Sequence, residues 1–275
     1  MTALSPAREI DAFNVVHDFE AALCEYAGAP YAVTTTSCTM ALLLAVAWHT
    51  RNLGHEGGMI SSWFERPEIE IPKRTYVSVP MSIIHAGGLP TFRDEDWRGL
   101  YKLEPLPVWD CARWFTSRMF EGYAPNDGSW VSFTQSPRMQ CLSFHWSKTL
   151  GLGQGGAILH DNEEADRWLR QARFDGRLEA VSPAEQQELY GFNVLGFHCY
   201  MSPETAAQGL LRLGNLPRHN EPLPNDPYPD LSSMELFKRT TRSAVGSRAN
   251  RGDMAWPSNS NQSSSRSATV TTPPT

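Results

Sequence analysis

The 275-residue chain lacks most of the signatures that would assign it to a membrane, a metal site or a disulfide framework. Its longest apolar run, Met40 to Trp48, is far short of the roughly 20 residues that cross a bilayer. The opening MTALSPAREIDAF has no apolar core behind a basic start, so no secretory signal is expected there. Excess positive charge is missing too: the net charge is −6, which argues against a general nucleic-acid binder. Five scattered cysteines never form a CxxC pair and fit reduced thiols in a cytoplasm. The eight histidines make no HExxH and no paired Cys/His spacing, so no metal is expected. A GxSxG elbow, a Walker lysine loop and internal repeats are likewise missing. The expectation is a cytoplasmic protein whose partners are small molecules, not membranes or nucleic acid.

What is present divides the chain unevenly. Leu216 to Asp230 (LPRHNEPLPNDPYPD) holds five prolines, which no regular helix or central strand tolerates. Ser243 to Thr275 holds eight serines and four threonines and is expected to be disordered. The RGD at Arg251 to Asp253 lies inside it and reads as chance. The folded unit is expected over residues 8–242: a large domain over 8–215, then a proline-rich segment over 216–242.

Inside the large domain, strand and helix signals alternate. Val15, Val16, Phe19, Leu23 and Tyr26 keep helical spacing. Tyr31 to Thr35 reads as a buried strand, and Ser37 opens an apolar helix. Strands are predicted at 68–71, 89–92, 106–109, 141–144 and 156–160, and helices at 76–85, 163–173 and 203–213. The alternation argues for an α/β domain built on a mostly parallel sheet flanked by helices.

Three local features carry chemistry. The step TTTSCTMAL puts hydroxyls and free N–H groups at the positive end of a helix, where a phosphate can sit; Ser37 as an ordinary N-cap stays open. In PVWDCA, Asp110 closes a buried strand at the carboxyl edge of the sheet, where it either holds a cationic ring nitrogen or caps the next segment. In CLSFHWSKTLGLGQGGAILH, Lys148 follows a buried strand among Phe144, His145, Trp146 and Leu150. Desolvation there would make its amine available as a Schiff-base nucleophile, unless it is a surface lysine with its stem on Trp146. Gly151, Gly153 and Gly156 spell GxGxxG, but a strand follows instead of a helix, so they read as a hairpin-like crossing and not as a dinucleotide fingerprint. His145 and His198 read as packing or supporting residues.

In this order the pieces resemble the DegT/DnrJ/EryC1/StrS sugar aminotransferases, which are PLP enzymes of fold type I. The likeness runs from about Phe19 to Leu216 and is carried by FEAALCEYAGAPYAVTTTSCTMAL, IPKRTYVSVPMSIIHAGGLPTFRDED, VWDCA, LSFHWSKTLGLGQGGAIL, RQARFDGR, GFNV and AAQGLLRLGNL. The resemblance implies that Lys148 forms the Schiff base with pyridoxal 5'-phosphate and shuttles the proton. It implies that Asp110 pairs with the pyridinium nitrogen, that Thr39, Met40 (through its backbone) and Ser143 hold the phosphate, and that Tyr76 stacks on the ring. Asn193 would reach a partner's phosphate across a homodimer.

The implied reaction moves an amino group from glutamate or glutamine to a keto sugar nucleotide. Lys148 argues against the deoxygenating branch, which carries histidine there. Departures are also visible. Cys38 replaces the family's glycine in SGT, and Arg113 replaces its His or Gln beside the cofactor. The 94–110 segment is short, and Gly122 to Arg138 is an added loop. Val194-Leu195 replaces an Arg-Met pair, and the small C-terminal domain is largely absent. The alternative to an enzyme is a homologue that keeps the PLP core as a binding or regulatory protein without turnover.

Overall fold

The structure, a computed structural model, describes residues 13–51, 66–122, 136–179 and 181–238. The serine-rich tail, the RGD and most of the 122–138 loop lie outside the described residues.

The chain opens with α1 (Asn14–Ala27), whose Val16, Phe19, Leu23 and Ala27 form one buried stripe at helical spacing. Gly28, in the left-handed conformation, ends it. Then follow β1 (Tyr31–Thr35), α2 (Cys38–Thr50), β2 (Glu68–Pro72), α3 (Ser78–His85) and β3 (Leu89–Arg93). The rest comprises β4 (Tyr101–Lys102), β5 (Val108–Asp110), β6 (Met139–Ser143), β7 (Gly156–His160), α4 (Glu163–Arg173), α5 (Pro183–Leu189) and α6 (Pro203–Leu213). Polar caps set the starts: Ser37, Asn162, Ser182 and Ser202 each accept a hydrogen bond from a backbone N–H of the first turn.

The main sheet has the order β1-β7-β6-β5-β4, and β2 pairs with β3 in a second sheet. The α/β class is as read from the sequence, but the mostly parallel sheet is corrected to a mixed one. Only β5–β6 and β2–β3 are parallel, while β1–β7, β6–β7 and β4–β5 are antiparallel. The reason is connection length. The glycine crossing from Ser143 to Gly156 is too short to carry a crossover helix, so β7 returns antiparallel beside β6. β1, β5 and β6 still run the same way, which brings their carboxyl ends to one edge.

Period-two alternation divides the core between the two faces. Val33, Val108, Met139, Cys141 and Ile158 pack against α2, α3 and α4. Ala32, Trp109, Leu142, Ala157 and Leu159 pack against α1 and α6. The helix α2 is buried almost all round, as its unbroken apolar sequence requires. A fully buried Phe such as Phe19 contributes about 1.5–3 kcal/mol. Among the described residues, the chain after α6 runs as an irregular strap across the body up to Asp230, then carries a 3-10 turn at Leu231–Ser233 and a helical turn over 235–238.

Candidate active site

The carboxyl edge of β1, β5 and β6 bounds a cleft of about 290 Å³, near the lower end of small-molecule sites. Register explains why its residues meet. Asp110, the last residue of β5, lies opposite Cys141 of β6 and opposite Tyr101 of β4. Ser143 ends β6 opposite Gly156, and Gly156 lies opposite Thr35 of β1, just before the start of α2. Gly156 is the glycine this edge needs. A Cβ there would come within 2.5 Å of Cys38 N, so any larger residue would push α2 away from the sheet.

Asp110 is buried and doubly held. Oδ1 accepts from Ala112 N at 2.9 Å, and Oδ2 accepts from the Tyr101 hydroxyl at 2.8 Å. Thr75 Oγ1 lies 2.6 Å from the same hydroxyl, giving a chain Thr75–Tyr101–Asp110. Burial raises the Asp110 carboxyl above the usual range, although the Ala112 N–H, the Tyr101 hydroxyl and Lys148 oppose it. The Tyr101 phenol is pushed well up by burial and by Asp110, so it stays a donor. Burial also holds the thiols of Cys38, Cys111 and Cys141 far above the thiolate range, which leaves no cysteine nucleophile in this region.

Lys148 is half-buried on the turn after β6, where its N–H donates to His145 O at 2.8 Å. Its ammonium has no hydrogen-bond or ion-pair partner among the described residues. Burial lowers its pKa, and the Arg113 guanidinium adds to this, while Asp110, Asp226 and Cys38 pull it back up. Opposite, hydroxyls gather at the start of α2. Ser37 Oγ accepts from Met40 N at 3.2 Å, and Thr39 Oγ1 sits 2.8 Å from Ser78 Oγ. The N-cap reading of Ser37 is thus the one the geometry shows, with the Thr39 and Ser78 hydroxyls beside it.

The cleft brings together Thr39, Tyr76, Asp110, Arg113, Ser143 and Lys148. Two sequence candidates stand apart. Met40 does not line it; its N–H already serves the Ser37 cap and its side chain packs on the core. Asn193 lies on an exposed loop, donating to Tyr190 O at 2.9 Å. His145 lines the cleft mouth, whereas His198 pairs with Asp175 at 2.9 Å elsewhere.

Sequence reasoning missed Thr75, Ser78, Tyr101, Trp97, Asp226 and Tyr228. A two-residue strand gives Tyr101 no pattern to detect. Asp226 and Tyr228 lie on the proline-rich segment, whose prolines signal only the absence of regular structure. That segment docks by carbonyls: Ser117 N and Thr116 Oγ1 donate to Arg218 O, Trp114 Nε1 donates to Asn220 O, and Leu223 N donates to Arg113 O. Asp226 Oδ2 then accepts from Arg113 Nη1 at 2.7 Å, and Tyr228 stacks on Trp97. Among the described residues no group of His, Cys, Asp and Glu is placed to hold a metal, and no helix is long and apolar enough to cross a membrane.

The chain is similar to proteins of known name. GDP-perosamine synthase of Caulobacter vibrioides is 24% identical over 230 residues, covering 74% of this chain and 57% of that protein. The spore coat polysaccharide biosynthesis protein SpsC of Bacillus subtilis is 28% identical over 194 residues, covering 60% of this chain and 47% of that one. The chain thus spans about half the length of the curated relatives it matches. Among solved structures, GDP-4-keto-6-deoxymannose-3-dehydratase with a trapped PLP-glutamate geminal diamine superposes with a TM-score of 0.54 at 20% identity, over 74% of this chain and 61% of that one. At that identity the match speaks for the fold. The family profile matches residues 2–102 and 132–222, more than half the chain, and on that ground the chain belongs to the DegT/DnrJ/EryC1/StrS aminotransferase family.

Proposed function

We propose that the chain binds pyridoxal 5'-phosphate and transfers an amino group from an amino acid, glutamate or glutamine, to a keto sugar nucleotide. The observation that carries this is the placing of Lys148, an amine with lowered proton affinity and no hydrogen-bond or ion-pair partner among the described residues, in one cleft with the buried carboxylate of Asp110. The donor set fits the cofactor: an amine for the aldehyde, a carboxylate for the ring nitrogen, and hydroxyls at a helix N-terminus for the phosphate. When bound, the cofactor supplies an electron sink for removal of a proton from the substrate carbon.

The chain's residues do the remaining work. Lys148 anchors the cofactor and then carries the proton. Asp110, aligned by Tyr101 and Ala112, keeps the ring nitrogen protonated. Thr39 and Ser143 hold the phosphate, and Tyr76 covers the ring. Arg113 supplies a fixed cation beside Lys148. The substrate class is supported by the relatives, one named as a GDP-perosamine synthase and one as a polysaccharide biosynthesis protein.

Asn193 can act only on a neighbouring copy, so the proposal includes a homodimer. Exposed Leu189, Tyr190, Phe192 and Leu195 around Asn193 support an interface there. The test is the visible spectrum of protein with added PLP, before and after borohydride, beside Lys148→Ala, with light scattering on the same samples. A Lys148-dependent band that borohydride removes, in a dimer, is expected. No band in either protein would overturn the reading, and a monomer carrying the band would remove Asn193 from the site.

A further inference from the structure

Arg113 is buried, with 6% of its surface exposed, yet it is only half satisfied. Nη1 donates to Asp226 Oδ2 at 2.7 Å and lies 3.5 Å from the Tyr228 hydroxyl, while the buried Nε has no hydrogen-bond partner among the described residues. Its counter-charge comes from the strap, not from the sheet. The Asp226 side chain is 63% exposed, and its segment is tied down beside Arg113 by Leu223 N to Arg113 O at 2.8 Å and by Asn225 Nδ2 to Trp97 O at 2.5 Å. An exposed carboxylate is thus held on a buried guanidinium that faces the reaction cleft.

The proposed reaction makes a demand that this pair can meet. An amino acid whose nitrogen takes the place of the Lys148 amine carries its α-carboxylate about 3 Å away from that nitrogen by covalent geometry alone. Inside a cleft such an anion must be paired. Among the described residues Arg113 and Lys148 are the arginine and lysine side chains that line the cleft, and Lys148 would be engaged with the cofactor in the proposed reaction. A guanidinium offers the planar fork that a carboxylate takes best.

We propose that Arg113 takes the α-carboxylate of the amino donor, and that Asp226 is an internal carboxylate that occupies this guanidinium until the donor displaces it and releases the strap. The substrate class in this inference rests on the transaminase reading. The electrostatics of Lys148 agree: Arg113 lowers its proton affinity and Asp226 raises it, so the three groups sense one another across the cleft.

Hydrogen exchange of the 217–230 segment tests this, with and without PLP, in L-glutamate against 4-aminobutanoate, which lacks the α-carboxylate. Wild-type strap exchange should rise several-fold in L-glutamate and stay unchanged in 4-aminobutanoate. Asp226→Asn should exchange fast from the start, ignore L-glutamate, and lower the half-saturating L-glutamate concentration about tenfold; Asp226→Glu should restore the wild-type pattern. Arg113→Gln should raise half-saturation at least tenfold for L-glutamate.

An unresponsive strap in wild type, or a weaker grip on L-glutamate in Asp226→Asn, would overturn the proposal and leave a purely structural latch. If PLP never attaches, the transaminase reading fails while the cofactor-free exchange still decides the carboxylate exchange at Arg113. If PLP attaches and turns over with a silent strap, only the present inference fails.

Discussion

Asp110 shows how much one residue depends on neighbours that no motif announces. Its place at the end of VWD is legible in the sequence, because a short apolar strand closed by an acid belongs at the carboxyl edge of an α/β sheet. Its second support is not legible. Tyr101 meets it only through the antiparallel register of a two-residue strand, and Thr75 completes the chain from a third segment. Removing the hydroxyl with Tyr101→Phe leaves a buried carboxylate oxygen without its donor, a loss of about 1–3 kcal/mol. The Tyr101 bond lowers the Asp110 pKa, so its removal raises that pKa and leaves less carboxylate ionised at mildly acid pH. The expected outcome is a lower thermal midpoint and PLP binding whose acid limb moves to higher pH, read by PLP titration across pH. An unmoved acid limb would show that Tyr101 plays no part in poising Asp110.

At the scale of elements, what the sequence disclosed was whatever had a period or a cap. β1, β7, α4 and α6 have the bounds that alternation and capping predicted, and α1 lies within a residue or so of its predicted stripe. The weak pieces were those with neither. β4 is too short for a pattern, α5 lies in a polar stretch marked only by its Ser182 capping box, and the strap folds by docking carbonyls.

One junction between elements was also hidden, because long-range ion pairs leave no local trace. Glu20 of α1 is buried against Arg173 and Arg170 of α4, with Oε2 2.6 Å from Arg170 Nη1, and it accepts from the Thr34 N–H and hydroxyl of β1 at 2.8 Å each. Burial alone would raise its pKa, but the two arginines and the Thr34 N–H outweigh that and hold it below the usual carboxylate value. A carboxylate depressed in the folded state contributes stability that is full above about pH 4.3 and is lost as pH falls through the folded value. Glu20→Gln leaves Arg173 buried with Glu179 as its remaining carboxylate, at a cost of about 3–5 kcal/mol. Thermal melts from neutral pH down to about pH 3 should show a destabilised variant whose midpoint depends less on acid than the wild type's. Parallel acid dependence in the two proteins would place the acid-sensitive group elsewhere.

For the whole molecule, the central point is that one chain assembles an amine, a carboxylate, a hydroxyl cradle and a guanidinium around one cleft while spanning about half the length of its curated relatives. The strap from Leu216 to Asp230 closes one side of that cleft from within the chain, through Asp226 and Tyr228. Family membership was legible from the ordered motifs, whereas the closure was not, because prolines signal only the absence of regular structure. The measurement that tests the account most directly is a single half-reaction: PLP-loaded protein mixed with L-glutamate or L-glutamine, with the keto acid counted per bound cofactor. The account predicts one keto acid per cofactor and none from Lys148→Ala. Bound PLP that releases no keto acid from either donor would contradict it and leave a PLP-binding protein without turnover.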